Sequence, residues 1–293
     1  AARVRDATDG HGADLVVEAT GDVSVAEESP AFAARGGTVL FFAGLPREAR
    51  LSVLAHRVHY DEVTLAGEEG RHAVAVRRIA VGETILLADG AGTAVRGPVL
   101  ATDKASLTMR VAEVLYTPAD PLRFVAVQAL AKGDRAELAV ETMTEVGIDE
   151  VVPWQARRSI VKWVPDRAER HLARWRSTAR EATKQSRRFK VPVVTVPLST
   201  RELCLRIPEA AMTLILHEEA PDPIFGVELP ESGDVMLVIG PEGGIDPEEL
   251  EALQAAGGRP VRISDGVLRT STAGVVALAQ LHVLEQQQRA RAR

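Results

Sequence analysis

The chain has 293 residues, of which 46% are hydrophobic and 26% are charged, with a formal net charge of −6. This composition is ordinary for a globular protein with room for two or three domains. The single cysteine, Cys204, excludes an internal disulfide, and no Cys/His cluster has zinc spacing, so no metal site is predicted. No apolar run approaches the roughly 20 residues that cross a bilayer. Since no secretion signal is evident either, a cytoplasmic location is expected.

The charges are distributed unevenly along the chain. Residues 152–192 contain 12 Lys/Arg and 3 Asp/Glu, whereas residues 228–251 contain 8 acidic residues and no basic one. A dense basic segment in an acidic chain favours a local contact with a polyanion such as RNA or DNA. A solvated helix face is the alternative interpretation.

The first 66 residues predict alternating α/β structure. "ADLVVEAT" and "GGTVLFFAGL" are typical of buried parallel strands, with a short helix ending at Gly36 between them and a third strand in "YDEVTLAG". "DGHGADLVVEATG", "RGGTVLFFAGLP" and "HYDEVTLAG" resemble part of the nucleotide-binding domain of medium-chain, alcohol-dehydrogenase-type oxidoreductases. The resemblance implies a partial Rossmann-like α/β segment over residues 1–63. Because the GxGxxG turn that seats a pyrophosphate is absent, an NAD(P)-dependent oxidoreductase is kept only as an alternative.

The next segment, up to residue 117, changes character. Short strands separated by Gly-rich turns predict a small β-barrel. Arg71, His72, Arg77 and Arg78 stand together in "RHAVAVRR" and are candidate phosphate contacts, or else polar residues of the barrel rim. "YTPADP", with two prolines that cannot join central strands, predicts a linker over residues 116–121.

From residue 122 onwards, strands and helices alternate again. "RFVAVQAL" and "IDEVVPWQ" predict strands that flank a helix ending at Gly147. A basic helix is predicted over Asp166–Phe189, with an apolar stripe at Ala168, Leu172, Trp175, Ala179 and Ala182. "MTLILHEE", "DVMLVIG" and "RPVRIS" predict three further strands, and a last helix starts at about Thr272. This pattern alone predicts a doubly wound α/β sheet.

Those last three strands end in polar or glycine-bearing loops, which predicts one composite pocket at the carboxyl edge of the sheet. In "VIGPEGGIDPEEL", Asp246 suits a helix N-cap, Pro247 the first helical position and Glu249 a capping box. The glycines allow close backbone approach. Glu242 argues against a phosphate and favours a neutral or cationic ligand such as S-adenosylmethionine.

Five segments in order resemble one family: "QALAKGDRAELAVETMTEVGIDEVVPWQARRS", "AREATKQSRR", "LHEE", "VIGPEGGIDPEEL" and "ISDGVLRTSTA". They are similar to the bacterial 16S rRNA (uridine-N3) methyltransferases of the SPOUT class, over about residues 64–288. The resemblance implies a PUA-like β-barrel for RNA over residues 64–117 and a trefoil-knotted domain over residues 122–293. That domain would bind S-adenosylmethionine, form a homodimer and act on the small ribosomal subunit. Members begin with a strand before "GEEGRHAVAVRR", so either "YDEVTL" supplies it or the barrel is incomplete.

The resemblance also implies the site residues. The predicted cofactor pocket contains Leu216, His217, Glu218, Ile239, Gly240, Pro241, Glu242, Gly243, Gly244, Ile263, Val267, Leu268, Arg269, Thr270 and Thr272. His217 is expected to act through its backbone. Arg269 is the predicted catalytic residue, because a cation there would stabilise uracil that has lost its N3 proton.

Further candidate phosphate contacts are Lys132, Arg157, Arg158, Arg187 and Arg188. Glu137 is a candidate base, although a helix-surface carboxylate is the alternative, and the sequence does not identify the proton acceptor. A non-catalytic RNA-binding protein is the remaining alternative function.

Overall fold

The structure is a computed structural model that describes residues 62–118 and 120–291 and, before them, residues 13–18, 32–41 and the single positions 4, 8 and 29. The chain divides into two compact units. One comprises Ala1–Leu87 with Ala94–Leu115, and the other comprises Ala88–Thr93 with Tyr116–Arg293. Within the described residues, no helix combines the length and the apolar character needed to cross a membrane.

Two strands are described near the start of the chain. β1 (Ala13–Glu18) and β2 (Ala33–Phe41) pair in parallel, as the apolar segments predicted. The predicted helix ending at Gly36 is wrong at its end, because residues 33–36 belong to β2, which already pairs with β1 at Ala33. Most of the remainder of that predicted helix lies outside the described residues.

The first unit also contains a five-stranded sheet. Its strands are β3 (Glu62–Leu65), β4 (Thr84–Ala88), β5 (Thr93–Thr102), β6 (Leu107–Arg110) and β7 (Glu113–Tyr116). The order is β3-β6-β5-β4, and β7 also pairs with β5. β3 pairs antiparallel with β6, so "YDEVTL" supplies a strand of this sheet and is not a third strand beside β1 and β2.

The basic segment "RHAVAVRR" is helical up to Val76. Helix α1 (Gly67–Arg71) runs into a single π-helical turn, His72–Val76, which buries Ala73 in a small core beside Val99 and Leu107. The basic side chains of the segment, on the turn and directly after it, are exposed.

The second unit is built on a seven-stranded sheet. Its strands are β8 (Leu122–Ala129), β9 (Glu150–Gln155), β10 (Val193–Val194), β11 (Leu198–Ser199), β12 (Met212–Leu216), β13 (Gly233–Ile239) and β14 (Arg259–Val261). The order is β10-β9-β8-β13-β12-β14, with β11 also paired to β9, and every pairing is parallel. The helices are α2 (Arg135–Val146), α3 (Pro165–Gln185), α4 (Thr200–Arg206), α5 (Pro247–Ala255) and α6 (Thr270–Arg291).

Both faces of this sheet are covered. Successive side chains of β8 point to opposite faces, as the period of a strand requires. Phe124 and Ala126 join the core formed with α2, α3 and α6, whereas Val125 and Val127 join the core formed with α4 and α5. The α/β class with helices on both sides of a parallel sheet is therefore confirmed.

Helix α3 buries four of the five residues of the predicted apolar stripe, since Leu172, Trp175, Ala179 and Ala182 are all at most 3% exposed. Ala168 is partly buried against the same core. The predicted end of α3 at Phe189 is wrong, because the helix ends at Gln185. The backbone leaves the helical conformation two residues later, where Arg187 has a φ of 57°. The last helix begins at Thr270, two residues before the predicted start.

Candidate active site

The candidate site lies at the carboxyl edge of the seven-stranded sheet. β13, β12 and β14 are neighbours and run in parallel, so the loops that follow them meet at one edge. A cavity of about 290 Å³ lies there, between the residues after β12, the glycine loop after β13 and the segment that leads into α6.

Twelve of the predicted cofactor residues line this cavity: Leu216, His217, Glu218, Ile239, Gly240, Pro241, Glu242, Gly244, Val267, Leu268, Arg269 and Thr270. Gly243, Ile263 and Thr272 do not line it. Three residues that sequence reasoning missed do: Arg135, Ile245 and Ala273. Arg135 was missed because it follows β8, and only the strand order, which places β8 beside β13, brings that loop to the same edge.

Glu242 ties two loops together. Its Oε1 accepts the backbone N–H of Lys132 at 3.1 Å and lies 3.8 Å from Nη1 of Arg135. The side chain is 17% exposed, and Oε2 is buried without a hydrogen-bond partner in the described part of the chain. Glu242 therefore holds the glycine loop after β13 against the loop after β8, and one carboxylate oxygen is left without a hydrogen-bond partner in the described structure.

Two glycines shape the loop. Gly244 has a φ of 72° and its N–H donates to the carbonyl of Pro241 at 3.0 Å, which closes a tight turn. A Cβ on Gly240 would lie 2.8 Å from Cγ1 of Ile245. The turn therefore requires glycine at 244 for its backbone conformation and at 240 for close packing.

A buried hydrogen-bond chain joins the loop to β8 and α6. The hydroxyl of Thr270 donates to the carbonyl of Gly240 at 2.7 Å and accepts Nε2 of Gln128 at 3.0 Å. Gln128 is fully buried, and sequence reasoning missed it. The available signal was a single amide inside the apolar strand "RFVAVQAL", because a buried polar group needs a partner. This chain fixes the first turn of α6 against the cavity.

Arg269 lines the cavity, and its side chain is exposed. This side chain forms no hydrogen bond or ion pair with any residue that the structure describes. The carbonyl of Arg269 accepts the N–H groups of Thr272 and Ala273, both at 2.9 Å, so its backbone is fixed at the start of α6. The guanidinium is therefore available to contact a bound molecule.

His217 has structural partners. Its N–H donates to the carbonyl of Val261 at 3.1 Å, and its Nδ1 accepts the N–H of Glu219 at 3.2 Å. These bonds occupy the backbone N–H of His217 and one of its ring nitrogens, so the residue fixes the turn after β12.

The predicted phosphate contacts Arg157 and Arg158 lie against the acidic start of α5. Nη1 of Arg157 lies 3.0 Å from Asp246 and 2.7 Å from Glu248. Both carboxylates raise the pKa of Arg157, and the largest contribution is the hydrogen bond to Glu248. Nε of Arg158 lies 3.3 Å from Asp246. The two arginines stabilise the loop that follows Gly244, in addition to any contact with RNA.

Asp246 caps α5 as predicted, since it accepts the N–H of Glu248 at 3.2 Å. The capping-box role predicted for Glu249 is wrong. Both oxygens of its buried carboxylate accept the N–H of Arg157 at 3.0 Å, and the hydroxyl of Thr200 donates to it as well. The carboxylate is directed at the backbone of the segment after β9 and at the first residue of α4.

The remaining predicted basic residues differ in their surroundings. Arg71 and His72 are exposed on the helical turns of the first unit, and Arg77 and Arg78 are exposed directly after them. Nη1 of Arg188 donates to the carbonyls of Thr144 and Ile148 at 2.8 and 3.0 Å, and burial lowers the pKa of this guanidinium. Lys132 and Arg187 have exposed side chains.

The candidate base Glu137 is ion-paired with Nε of Arg174 at 2.9 Å and joins α2 to α3. This contact favours the structural interpretation of Glu137. No group of three or more His, Cys, Asp or Glu residues in the described part of the chain has the geometry of a metal site.

Comparison with known proteins assigns both units. The model of an RNA methyltransferase domain matches residues 118–282, and that of an RNA methyltransferase PUA domain matches residues 65–111. Ribosomal RNA small subunit methyltransferase E of Mycobacterium bovis is 44% identical over 222 residues, which are 74% of this chain and 85% of that protein. The Bacillus subtilis protein of the same name is 29% identical over 226 residues, 74% of this chain and 88% of that protein.

Solved structures agree. The crystal structure of a ribosomal RNA small subunit methyltransferase E from Neisseria gonorrhoeae, bound to S-adenosyl methionine, has a TM-score of 0.69 and 28% identity, and the match covers 76% of this chain and 92% of that one. The predicted PUA-like and SPOUT-type architecture is thereby confirmed. Because the domain model spans more than half of the chain and the Mycobacterium bovis relative is 44% identical, the chain belongs to the RNA methyltransferase family that includes ribosomal RNA small subunit methyltransferase E.

Proposed function

We propose that the chain transfers the methyl group of S-adenosylmethionine to N3 of a uridine in the 16S rRNA of the small ribosomal subunit. The observation that carries this proposal is the cavity between the ends of β12, β13 and β14 in a chain of this family, one of whose members has been crystallised with S-adenosyl methionine.

The residues of the cavity fit such a cofactor. The turn at Gly240 and Gly244 permits close approach of a ligand to main-chain groups, and a side chain at 240 would displace Ile245. The orphaned Oε2 of Glu242 offers a negative charge that suits a sulfonium cation and not a phosphate. S-adenosylmethionine supplies an electrophilic methyl carbon when it is bound.

The chain itself must position the uridine and help it to lose the proton of N3. Methyl transfer is an in-line displacement, so much of the rate comes from orientation. As N3 loses its proton, negative charge develops on the uracil ring. The unpaired guanidinium of Arg269 at the same cavity would stabilise that charge, which assigns Arg269 an electrostatic role.

The decisive test is a transfer assay with methyl-labelled S-adenosylmethionine and small ribosomal subunits that lack the modification. We expect label in 16S rRNA and, after nuclease digestion, N3-methyluridine by mass spectrometry. Binding of RNA and cofactor without transfer would favour the non-catalytic alternative. Calorimetry with NAD(H) in parallel tests the oxidoreductase alternative, and binding of NAD(H) in place of S-adenosylmethionine would contradict the proposal.

We also propose the organisation of the protein: an α/β segment over residues 1–63, an RNA-binding PUA-like barrel over 64–117 and a knotted methyltransferase domain over 122–293. We propose that the protein acts in the cytoplasm as a homodimer. Apolar side chains support the dimer, since Phe225 and Val267 are 75% and 79% exposed. Light scattering of the purified protein tests the dimer, and a single monomeric mass would contradict it.

A further inference from the structure

The end of α3 carries an arginine where the backbone favours glycine. The N–H of Arg187 donates to the carbonyl of Lys184 at 3.3 Å, and the N–H of Arg188 donates to that of Thr183 at 3.1 Å. This pair of bonds is the Schellman arrangement, in which the residue after the C-cap adopts a left-handed conformation and is usually glycine. Arg187 adopts that conformation with a φ of 57°.

The left-handed conformation is unfavourable for a residue with a Cβ, so arginine at this position lowers stability relative to glycine. A strained backbone at an exposed side chain is a reason to look for a function of that side chain. Arg187 forms no ion pair or side-chain hydrogen bond with the residues that the structure describes, so no structural contact compensates for the strain.

Arg187 lines a groove of about 640 Å³ in the second unit. Three further cations line it, but each has a partner. Arg123 is ion-paired with Glu150 and Asp234, Arg188 donates to two carbonyls, and Lys190 lies 3.6 Å from Asp149. Arg187 is thus the cation of this groove that is available to a ligand from outside.

The lining favours a nucleotide over other anions. Four cationic and two acidic side chains, Asp120 and Asp149, line the groove, and Arg187 is the cation among them whose side chain has no partner in the described residues. Tyr116, which is 61% exposed, lines the same groove. A guanidinium for a phosphate and an aromatic face for a base form the combination that proteins use for single-stranded nucleic acids.

We propose that this groove binds a single-stranded segment of the RNA substrate, with the guanidinium of Arg187 on a backbone phosphate and the ring of Tyr116 beside a base. The inference rests on the proposed function for the identity of the RNA. It adds a docking surface that is separate in its lining residues from the cofactor cavity.

The test is the variant Arg187→Gly, which relieves the strained backbone and removes the cation. We expect its melting temperature to equal or exceed that of the native protein by about 1–3 °C. Its affinity for a 16S rRNA transcript should fall by roughly 3- to 10-fold, and the slope of log K against log salt should decrease in magnitude by roughly 0.7, the value for one lost phosphate contact on a single strand. Binding of S-adenosylmethionine should not change.

Three further variants sharpen the result. Arg187→Lys keeps a cation and should retain the native salt slope. Tyr116→Leu should weaken binding without changing the slope, because it removes a ring and not a charge. Arg201→Ala is the matched control, since Arg201 is exposed on α4, which covers the other face of the sheet. It should leave RNA affinity unchanged.

Two outcomes are distinguishable. If native protein binds the transcript and Arg187→Gly binds it equally well with the same slope, the docking surface is wrong while the proposed function stands. If native protein neither binds the transcript nor methylates small subunits, the proposed function fails and the inference fails with it.

Discussion

The carboxylate of Glu242 accepts the backbone N–H of Lys132 at 3.1 Å, across 110 positions of sequence. This bond joins the loop after β8 to the glycine loop after β13. The bond explains why a glutamate stands in a glycine loop that would otherwise suit a phosphate, because the side chain holds the loop in place. The second carboxylate oxygen has no hydrogen-bond partner in the described structure.

Removing the Glu242 carboxylate should loosen this wall of the cavity. A hydrogen bond to a charged group contributes about 1.5–3 kcal/mol, so Glu242→Ala should weaken binding of S-adenosylmethionine by about tenfold or more. Calorimetry measures the affinity. Glu251→Ala, an exposed carboxylate on α5, is the control and should bind normally. Equal affinities for the two variants would contradict the role of Glu242.

Thr270 should contribute to stability as well as to the site. Thr270→Val keeps the shape of the side chain but leaves the carbonyl of Gly240 and Nε2 of Gln128 without the hydroxyl, both in buried surroundings. We expect a loss of about 1–3 kcal/mol in the free energy of unfolding, measured with urea, and weaker cofactor binding. Thr272→Val is the control, because that hydroxyl bonds only the carbonyl of Arg269 near the surface. A difference of less than a few tenths of a kcal/mol between the two variants would argue against the buried chain.

Arg269 should act in the chemical step. Arg269→Ala should lower the single-turnover rate of methyl transfer by roughly 10²–10³-fold, the usual effect of removing one group that stabilises developing charge. Affinity for S-adenosylmethionine should change little. If uracil anion is what Arg269 stabilises, the variant should recover part of its rate at higher pH, where N3 loses its proton more readily. A change in cofactor affinity with an unaltered rate would instead make Arg269 a binding residue.

Arg188 should be structural, in contrast to Arg187. Arg188→Ala removes the donor to two carbonyls at the end of α2, so we expect a loss of about 2–4 kcal/mol in the free energy of unfolding. The salt slope of RNA binding by the folded variant should stay at the native value. A reduced slope with unchanged stability would reverse the roles of the two neighbouring arginines.

The start of α4 should give a pH-dependent contribution. The hydroxyl and the backbone N–H of Ser199 donate to Glu202, at 2.7 and 2.8 Å, and these bonds lower the pKa of Glu202 from its ordinary value of 4.5. A lowered folded-state pKa means stability that is present above 4.5 and lost as the pH falls through the folded value. Glu202→Gln should therefore unfold at lower urea concentration than native protein at pH 7, and the difference should disappear as the pH falls below that range. A difference that persists at low pH would show a non-electrostatic cause.

Local patterns were sufficient for most elements of the second unit. The apolar stripe of α3, the strand segments and the cap at Asp246 depend on residues within one or two turns, and all are present in the structure. The family could be predicted because its motifs are contiguous stretches of sequence, and the comparisons confirmed it. The errors were also local in kind. The end of α3 was placed too late because arginine gives no sign of a left-handed backbone.

The sequence by itself determined most of the elements, the glycine loop and twelve of the residues that line the cavity. Only the tertiary structure decided which of those residues meet. Strand order places β8 beside β13, and this brings Arg135 to the cavity and Gln128 and Lys132 to Thr270 and Glu242, which line it. The tertiary structure also gives the two neighbouring arginines different surroundings. Arg187 is exposed beside a groove, whereas Arg188 donates to a carbonyl at the end of α2. The hydrogen bonds of Gln128, Lys132 and Arg188 join groups 40 or more positions apart. Local periodicity carries no information about them, because it reports only which face of an element is buried.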